Sequence, residues 1–194
     1  QDMEVFIHAL ANYAVHATKE GTRLSDIELT TEEEQTALIK LGTGKHINID
    51  VNETFVSAFE RQAAKTPVRI AVTDGIGQLT YAELSQRSNL LAHQLMGAGV
   101  QPDGFVCILL DRVKEFPLSV IAIMKAGGAY VPMDTEYPAE RLRYILEDSQ
   151  TKVLITSHDL LEEKQAQGMD LSEGIRVIFI DDVDFSEMTG PINF

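Results

Sequence analysis

The chain has 194 residues, of which 44% are apolar and 24% charged, and this composition excludes a disordered or collagen-like protein. Thirty acidic residues against sixteen basic ones give a net charge of −14, which disfavours nucleic acid and anionic membranes as partners. Apolar runs are too short for a membrane helix and the acidic start lacks the basic region of a signal peptide, so a cytoplasmic protein is expected.

Residues 1–50 are predicted to form a helical lead-in to the rest of the chain. One amphipathic helix is predicted from apolar residues that recur at helical spacing, which are Phe6, Leu10, Tyr13 and Ala17. A second helix is predicted to begin after Thr31, because Glu34 follows at the spacing of a capping box. From residue 43 to residue 52 the chain is rich in turn residues, which is typical of a linker.

A helix and a hairpin are predicted next. Asn52 is the predicted N-cap of a helix that Thr66-Pro67 ends, since proline cannot continue the helical hydrogen-bond ladder. Two short strands, at residues 69–73 and 79–81, are predicted to form a hairpin around a tight turn.

Beyond the hairpin, predicted helices and strands alternate. Thr80 and Glu83 have the spacing of a capping box and start the first of these helices, which Gly97 and Gly99 end. The other helices are predicted to begin near residues 114, 138 and 160, and the strands lie at 105–110, 129–131, 153–156 and 177–180. This alternation predicts the α/β fold class, with a largely parallel, doubly wound sheet flanked by helices.

Common chemical motifs are absent from the sequence. Gly44-Lys45 lacks the upstream glycine of a phosphate-binding P-loop, and Gly97-Ala98-Gly99 lacks the third glycine of a dinucleotide fingerprint. The five histidines are scattered and show no metal-ligand spacing. Cys107, the single cysteine, lies in an apolar run and is predicted to be a buried small hydrophobe.

Two segments resemble a known family. Residues 79–84 (LTYAEL) resemble the first core motif of the adenylation domains of nonribosomal peptide synthetases, and residues 124–134 (MKAGGAYVPMD) resemble the second. Residues 87–92 and 137–142 are also similar to that family, in the same order and at plausible spacing. The resemblance extends over roughly residues 52–183 and is specific.

The resemblance implies a division of the chain into two parts. Residues 1–50 are expected to be a condensation-domain tail and linker, and residues 51–194 the N-terminal portion of an adenylation domain. The second part is expected to be a partial N-terminal subdomain of an adenylate-forming enzyme, truncated before the phosphate-binding loop. That loop has the form TSGSTGxPKG in the family, and this sequence does not contain it.

Most of the matched residues are expected to have structural roles. Gly127 and Gly128 allow a helix to end tightly before a strand that leaves no room for a Cβ. Asp134 is the main candidate for a further role, because it follows a strand at the sheet edge where ligands bind, although capping a turn is the commoner outcome. Lys125 is not the family's catalytic lysine, which belongs to the small C-terminal subdomain. Its replacement by alanine is expected to cost much less stability than valine at either glycine.

The resemblance also implies the activity of the parent protein. The parent is expected to be an ATP-dependent adenylate-forming ligase that uses ATP and Mg²⁺ to activate an amino acid and loads it on a phosphopantetheine carrier domain. Its expected partners are neighbouring condensation, adenylation and carrier domains. The 194-residue chain alone is expected to be an inactive scaffold, with no catalytic, no cofactor-binding and no metal-binding residues.

Two alternatives stay open at this point. The parent could be a ligase that activates acyl or aryl acids, which the condensation-like lead-in disfavours. The chain could also be a non-catalytic docking module that orients neighbouring domains, because its acidic lead-in has two amphipathic helices.

Overall fold

The computed structural model describes residues 2–21, 23, 25, 27, 29–45, 47–48, 51–171 and 173–186. The chain forms two compact units, Gln1–Val51 and Asn52–Phe194. The first contains helices α1 (Asp2–Ala17) and α2 (Glu32–Gly42), and the second contains the sheet.

The first unit is a pair of helices joined by polar contacts. The capping box predicted at the start of α2 is confirmed, since the Thr31 hydroxyl accepts a hydrogen bond from the Glu34 amide at 3.2 Å and the Glu34 carboxylate accepts one from the Thr31 amide at 2.9 Å. His8 of α1 lies 3.2 Å from the Glu34 carboxylate, and the Asn12 side chain donates to the Leu29 carbonyl. Helix α2 buries none of its residues.

The second unit begins with helix α3, Phe55–Lys65, which ends before Thr66 and Pro67 as predicted. The prediction of Asn52 as its N-cap is wrong. The cap is Thr54, because its hydroxyl accepts from the Ser57 amide at 3.1 Å while the Ser57 hydroxyl accepts from the Thr54 amide at 2.9 Å. This reciprocal pairing fixes the helix start two residues later than predicted.

The predicted hairpin is confirmed, with strands β1 (Ile70–Thr73) and β2 (Gln78–Thr80) paired antiparallel. The predicted second strand, at 79–81, is displaced by one residue, since β2 begins at Gln78 and Tyr81 is the first residue of helix α4 (Tyr81–Gly97). Thr80 caps α4 as predicted, and the Glu83 carboxylate accepts from the Thr80 amide at 2.8 Å.

Four strands form a parallel sheet and confirm the predicted α/β fold. They are β3 (Phe105–Leu109), β4 (Ala129–Met133), β5 (Val153–Thr156) and β6 (Arg176–Phe179), in the order β4-β3-β5-β6. Helices α5 (Glu115–Lys125), α6 (Ala139–Ser149) and α7 (His158–Ala166) connect them in turn. The chain passes from β3 to its neighbour β4 on one side and then crosses to β5 on the other side of β3, as in doubly wound sheets.

The sheet is covered on both faces, because successive side chains of a strand point in opposite directions. On the α4–α5 face, Val106, Ile108, Val153 and Ile155 pack against buried residues of those helices, among them Leu91, Leu95, Leu118 and Ile123. On the α6–α7 face, Cys107, Leu109 and Leu154 pack against Leu142, Leu146 and Leu161. The core therefore lies in two layers, one on each side of the strands.

Candidate functional site

A cleft of about 950 Å³ opens at the carboxyl ends of β3 and β4, where open α/β sheets bind their ligands. The turn of the β1–β2 hairpin forms one wall, and the loops that follow β3 and β4 form the others. Its polar residues include Asp74, Asp111, Arg112, Asp134 and Tyr137, and its apolar residues include Phe116 and Pro117 at the start of α5.

Asp134 lies in this cleft and caps a turn, which confirms the commoner of its two expected roles. Its carboxylate accepts from the Glu136 amide at 2.9 Å, and its carbonyl accepts from the Tyr137 amide at 3.1 Å. The neighbouring Thr135 hydroxyl donates to the Asp111 carboxylate at 2.8 Å. These bonds tie together the loops that follow β3 and β4.

Asp74 joins the hairpin to α5, a role that the sequence analysis missed. One carboxylate oxygen accepts from the amides of Ile76 and Gly77 at 3.0 and 2.8 Å, within the hairpin turn. The other accepts from the Lys114 amide at 3.0 Å and from its ammonium group at 3.4 Å. The amide hydrogen bonds from Lys114 and Gly77 hold the pKa of Asp74 well below its ordinary value. An Asp-Gly pair signals a turn, but nothing local signals a partner forty residues away.

Lys125 is buried at the junction of three helices, with only 1% of its side chain exposed. Its ammonium group forms an ion pair with Glu60 of α3 and donates hydrogen bonds to the Asn89 side-chain oxygen at 2.6 Å and the Ser85 carbonyl at 3.1 Å, both in α4. It also lies 5.4 Å from the centre of the Phe59 ring. Burial lowers the pKa of Lys125, and the ion pair with Glu60 opposes that shift.

These contacts favour a larger cost for replacing Lys125 by alanine, relative to valine at Gly127 or Gly128, than the sequence alone led us to expect. Removing the ammonium group would leave the buried oxygens of Asn89 and Ser85 without this donor, and Glu60 without its counter-charge. The sequence excluded Lys125 as the family's catalytic lysine but gave no sign of these contacts, because its partners lie far away in the sequence.

Gly127 and Gly128 have the structural roles that were predicted. Gly127 has a φ of +81°, a left-handed conformation that favours glycine. A Cβ at Gly128 would lie 3.0 Å from the Gly104 carbonyl oxygen and 3.0 Å from a methyl group of Val100. The turn from α5 into β4 therefore needs glycine at both positions, for two different reasons.

Cys107 is fully buried on the α6–α7 face, as predicted. Its sulfur lies 3.6 Å from the Ser149 hydroxyl, and burial raises the pKa of the thiol. A buried thiol of raised pKa is a poor nucleophile, so Cys107 has the character of a core residue.

The comparison with family models matches residues 59–191 to the model described as AMP-binding enzyme. The chain belongs to this family. Gramicidin S synthase 2 from Brevibacillus brevis is 37% identical over 162 residues, a match that covers 81% of this chain and 4% of that protein. A mycosubtilin synthase protein from Bacillus subtilis is 35% identical over 195 residues, with 97% of this chain and 7% of that protein covered. The chain thus spans less than a tenth of these two relatives.

Solved structures of nonribosomal peptide synthetases share the fold of this AMP-binding family member. The structure of the synthetase FmoA3 matches with a TM-score of 0.80 at 24% identity, over 98% of this chain and 20% of that one. The four-domain synthetase AB3403, solved with AMP and glycine, matches with a TM-score of 0.75 at 23% identity, over 92% of this chain and 13% of that one. The sheet and its helices therefore have the fold found in these two synthetases.

Within the residues that the structure describes, no group of three or more His, Cys, Asp or Glu side chains is arranged to hold a metal ion. Of the histidines considered in the sequence analysis, His46 lies outside the described residues. None of the helices among the described residues is long and apolar enough to cross a bilayer.

Proposed function

We propose that residues 51–194 are the N-terminal portion of an adenylation domain of a nonribosomal peptide synthetase, and that the complete domain activates an amino acid with ATP. The observation that carries this proposal is the similarity, at 35–37% identity, to the synthetases of two peptides, gramicidin S and mycosubtilin. The family match over residues 59–191 supports the same assignment.

The proposed reaction has two steps. A carboxylate oxygen of the amino acid attacks the α-phosphorus of ATP and the bond to pyrophosphate breaks, which gives aminoacyl-AMP. The thiol of a phosphopantetheine carrier domain then attacks the acyl carbon, giving a thioester, and AMP leaves. Solved relatives of the same fold hold α-methyl-L-serine-AMP, or AMP and glycine, which supports an amino-acid substrate.

The residues of this chain act in that reaction as a scaffold. Three carboxylates of the cleft, Asp74, Asp111 and Asp134, accept hydrogen bonds that hold its loops. Among the described residues no group of three or more possible metal ligands is found, and the scaffold role needs none. Binding of the triphosphate, the amino acid and Mg²⁺ falls to parts of the domain that this sequence does not contain.

We also propose that residues 1–50 are a condensation-domain tail and linker. The match to the mycosubtilin synthase protein supports this, because it runs through nearly the whole chain, lead-in included. The partners are then the neighbouring condensation, adenylation and carrier domains of one synthetase. We place the activity in the cytoplasm, where ATP and amino acids are supplied.

The coding sequence downstream of residue 194 provides the first test. A phosphate-binding motif shortly after this point supports the ligase, and a stop codon there supports the docking module. ATP–pyrophosphate exchange then tests the activity, with the 194-residue chain and the full-length gene product assayed against twenty amino acids, aryl acids and fatty acids. We expect no exchange by the chain alone and amino-acid-dependent exchange by the full-length protein. Exchange by the short chain would contradict the scaffold role, and a response only to aryl or fatty acids would assign the other ligase class.

A further inference from the structure

Helix α3 forms an outer layer on the α4–α5 face. It packs against α4 and α5, the two helices that themselves cover the sheet. It buries three residues, Val56, Phe59 and Ala63, of which Phe59 belongs to the large apolar cluster on that face. Helix α3 therefore buries fewer apolar residues than α4, which buries five.

The segment that follows α3 is attached to the start of α4 by hydrogen bonds of its own. The carbonyl groups of Pro67 and Arg69 accept hydrogen bonds from the amides of Ala82 and Tyr81 at the start of α4, at 3.0 and 2.9 Å. These bonds do not involve α3 itself. Residues up to Thr66, where α3 ends, could thus move while the hairpin and α4 stay in place.

Lys125 and Ser85 both attach α3 through polar contacts with Glu60. Its buried ammonium group bonds to Asn89 and Ser85 of α4 from one side and to Glu60 of α3 from the other. The Ser85 hydroxyl also donates to the Glu60 carboxylate, at 2.8 Å. Glu60 is 38% exposed, so water can hydrate its carboxylate when α3 leaves. When α3 is released, Lys125 keeps its hydrogen bonds to Asn89 and Ser85. Each charge of the ion pair is therefore still stabilised, Glu60 by water and Lys125 by α4.

We infer that α3 is a separately releasable layer of this domain, held on the sheet body by the ion pair between Glu60 and Lys125. The ion pair joins α3 to α5 and adds to the apolar packing of Phe59 and its neighbours, which does not hold α3 in place by itself. The device is conformational: it lets the first helix of the domain detach while the four-stranded sheet stays folded. It does not depend on the substrate of the proposed enzyme.

Hydrogen exchange by mass spectrometry on the 194-residue protein tests this inference. In the wild type, amides of α3 should be less protected than those of β3 and β5, because they exchange by local release. In Lys125→Met, α3 should lose at least tenfold of its protection and approach the rate of an unfolded peptide, while β3 and β5 remain protected. Lys164→Met is the matched control, since Lys164 is buried but its partners Glu163 and Gln167 lie in or next to its own helix.

A milder variant keeps the test decisive if Lys125→Met does not fold. Glu60→Gln removes the charge at a partly exposed position and should also raise exchange in α3 selectively. The double variant should release α3 no more than Lys125→Met does, because the two changes break one contact. Exchange of β3 and β5 at the rate of an unfolded peptide whenever α3 is released would overturn the inference, as would unchanged exchange of α3 in Glu60→Gln or release of α3 by Lys164→Met.

Discussion

The two faces of the sheet each bury a lysine, and they satisfy its charge in opposite ways. On the α4–α5 face, Lys125 bonds to residues of two other helices, one of them 36 positions away in the sequence. On the α6–α7 face, Lys164 bonds to Glu163 and Gln167, its neighbours in the sequence, at 3.0 and 3.3 Å. A buried charge with distant partners holds the tertiary structure together, whereas one with local partners mainly supports its own helix. Single substitutions should therefore be more damaging on the first face than on the second.

Replacement of the two lysines by methionine should give the largest difference. Lys125→Met is expected to lower the free energy of unfolding by about 3 kcal/mol, the lower end of the range for a broken buried ion pair, because Glu60 is partly hydrated. Lys164→Met should cost less than about 1 kcal/mol, since its partners are exposed to solvent. Urea denaturation followed by circular dichroism measures both values. Equal midpoints for the two variants would show that the faces do not differ in this way.

The turn from α5 into β4 offers a smaller effect on the α4–α5 face. Gly128→Val should lower the free energy of unfolding by about 1–3 kcal/mol, because the new Cβ meets the Gly104 carbonyl and Val100. Gly97→Ala is the control, since no atom lies within 4 Å of a Cβ built there and its backbone is helical. Thermal unfolding of both proteins gives the comparison. A stable Gly128→Val protein would mean that Gly104 and Val100 can move aside.

The bond between the hairpin and α5 should be sensitive to acid. Because the folded-state pKa of Asp74 lies below its ordinary value of 3.8, its stabilising effect is fully present above that value. This contribution is lost as the pH falls further. Wild type should thus be more stable than Asp74→Asn at pH 7, and the gap should narrow below about pH 4. Urea midpoints of both proteins at pH 7, 5 and 3 test this, and a gap independent of pH would assign it to hydrogen-bond geometry instead of charge.

The smallest effect is expected for Cys107, on the α6–α7 face. Its buried thiol of raised pKa should react with a disulfide reagent only when the protein opens. Labelling at pH 8 should therefore be slow in buffer and rapid in denaturant, and Lys125→Met should accelerate it only as far as it promotes global unfolding. Rapid labelling of the native wild type would show that this face is more open than its packing indicates.

Local signals in the sequence are sufficient for much of the fold. The capping boxes at Thr31 and Thr80 could be predicted, since both partners lie within three residues of each other. The start of α3 is predicted at Asn52 in place of Thr54, because asparagine is a good cap and serine is a less usual reciprocal partner than glutamate or glutamine.

The contacts that hold the cleft and the α4–α5 face together could not be predicted in this way. Asp74 and Lys114 are forty residues apart, and nothing near either residue indicates the other. Lys125 lies inside a segment that resembles a family motif, yet only the packing of α3 and α4 around it reveals that its charge is buried. Interactions between distant residues depend on the completed topology.

The position of α3 has a mechanical consequence. Its eleven residues span about 16 Å when helical. The same residues reach up to about 36–40 Å when fully extended. Detachment and unwinding of α3 would therefore lengthen this segment by roughly 20 Å. A single ion pair would then control whether these eleven residues are compact or extended.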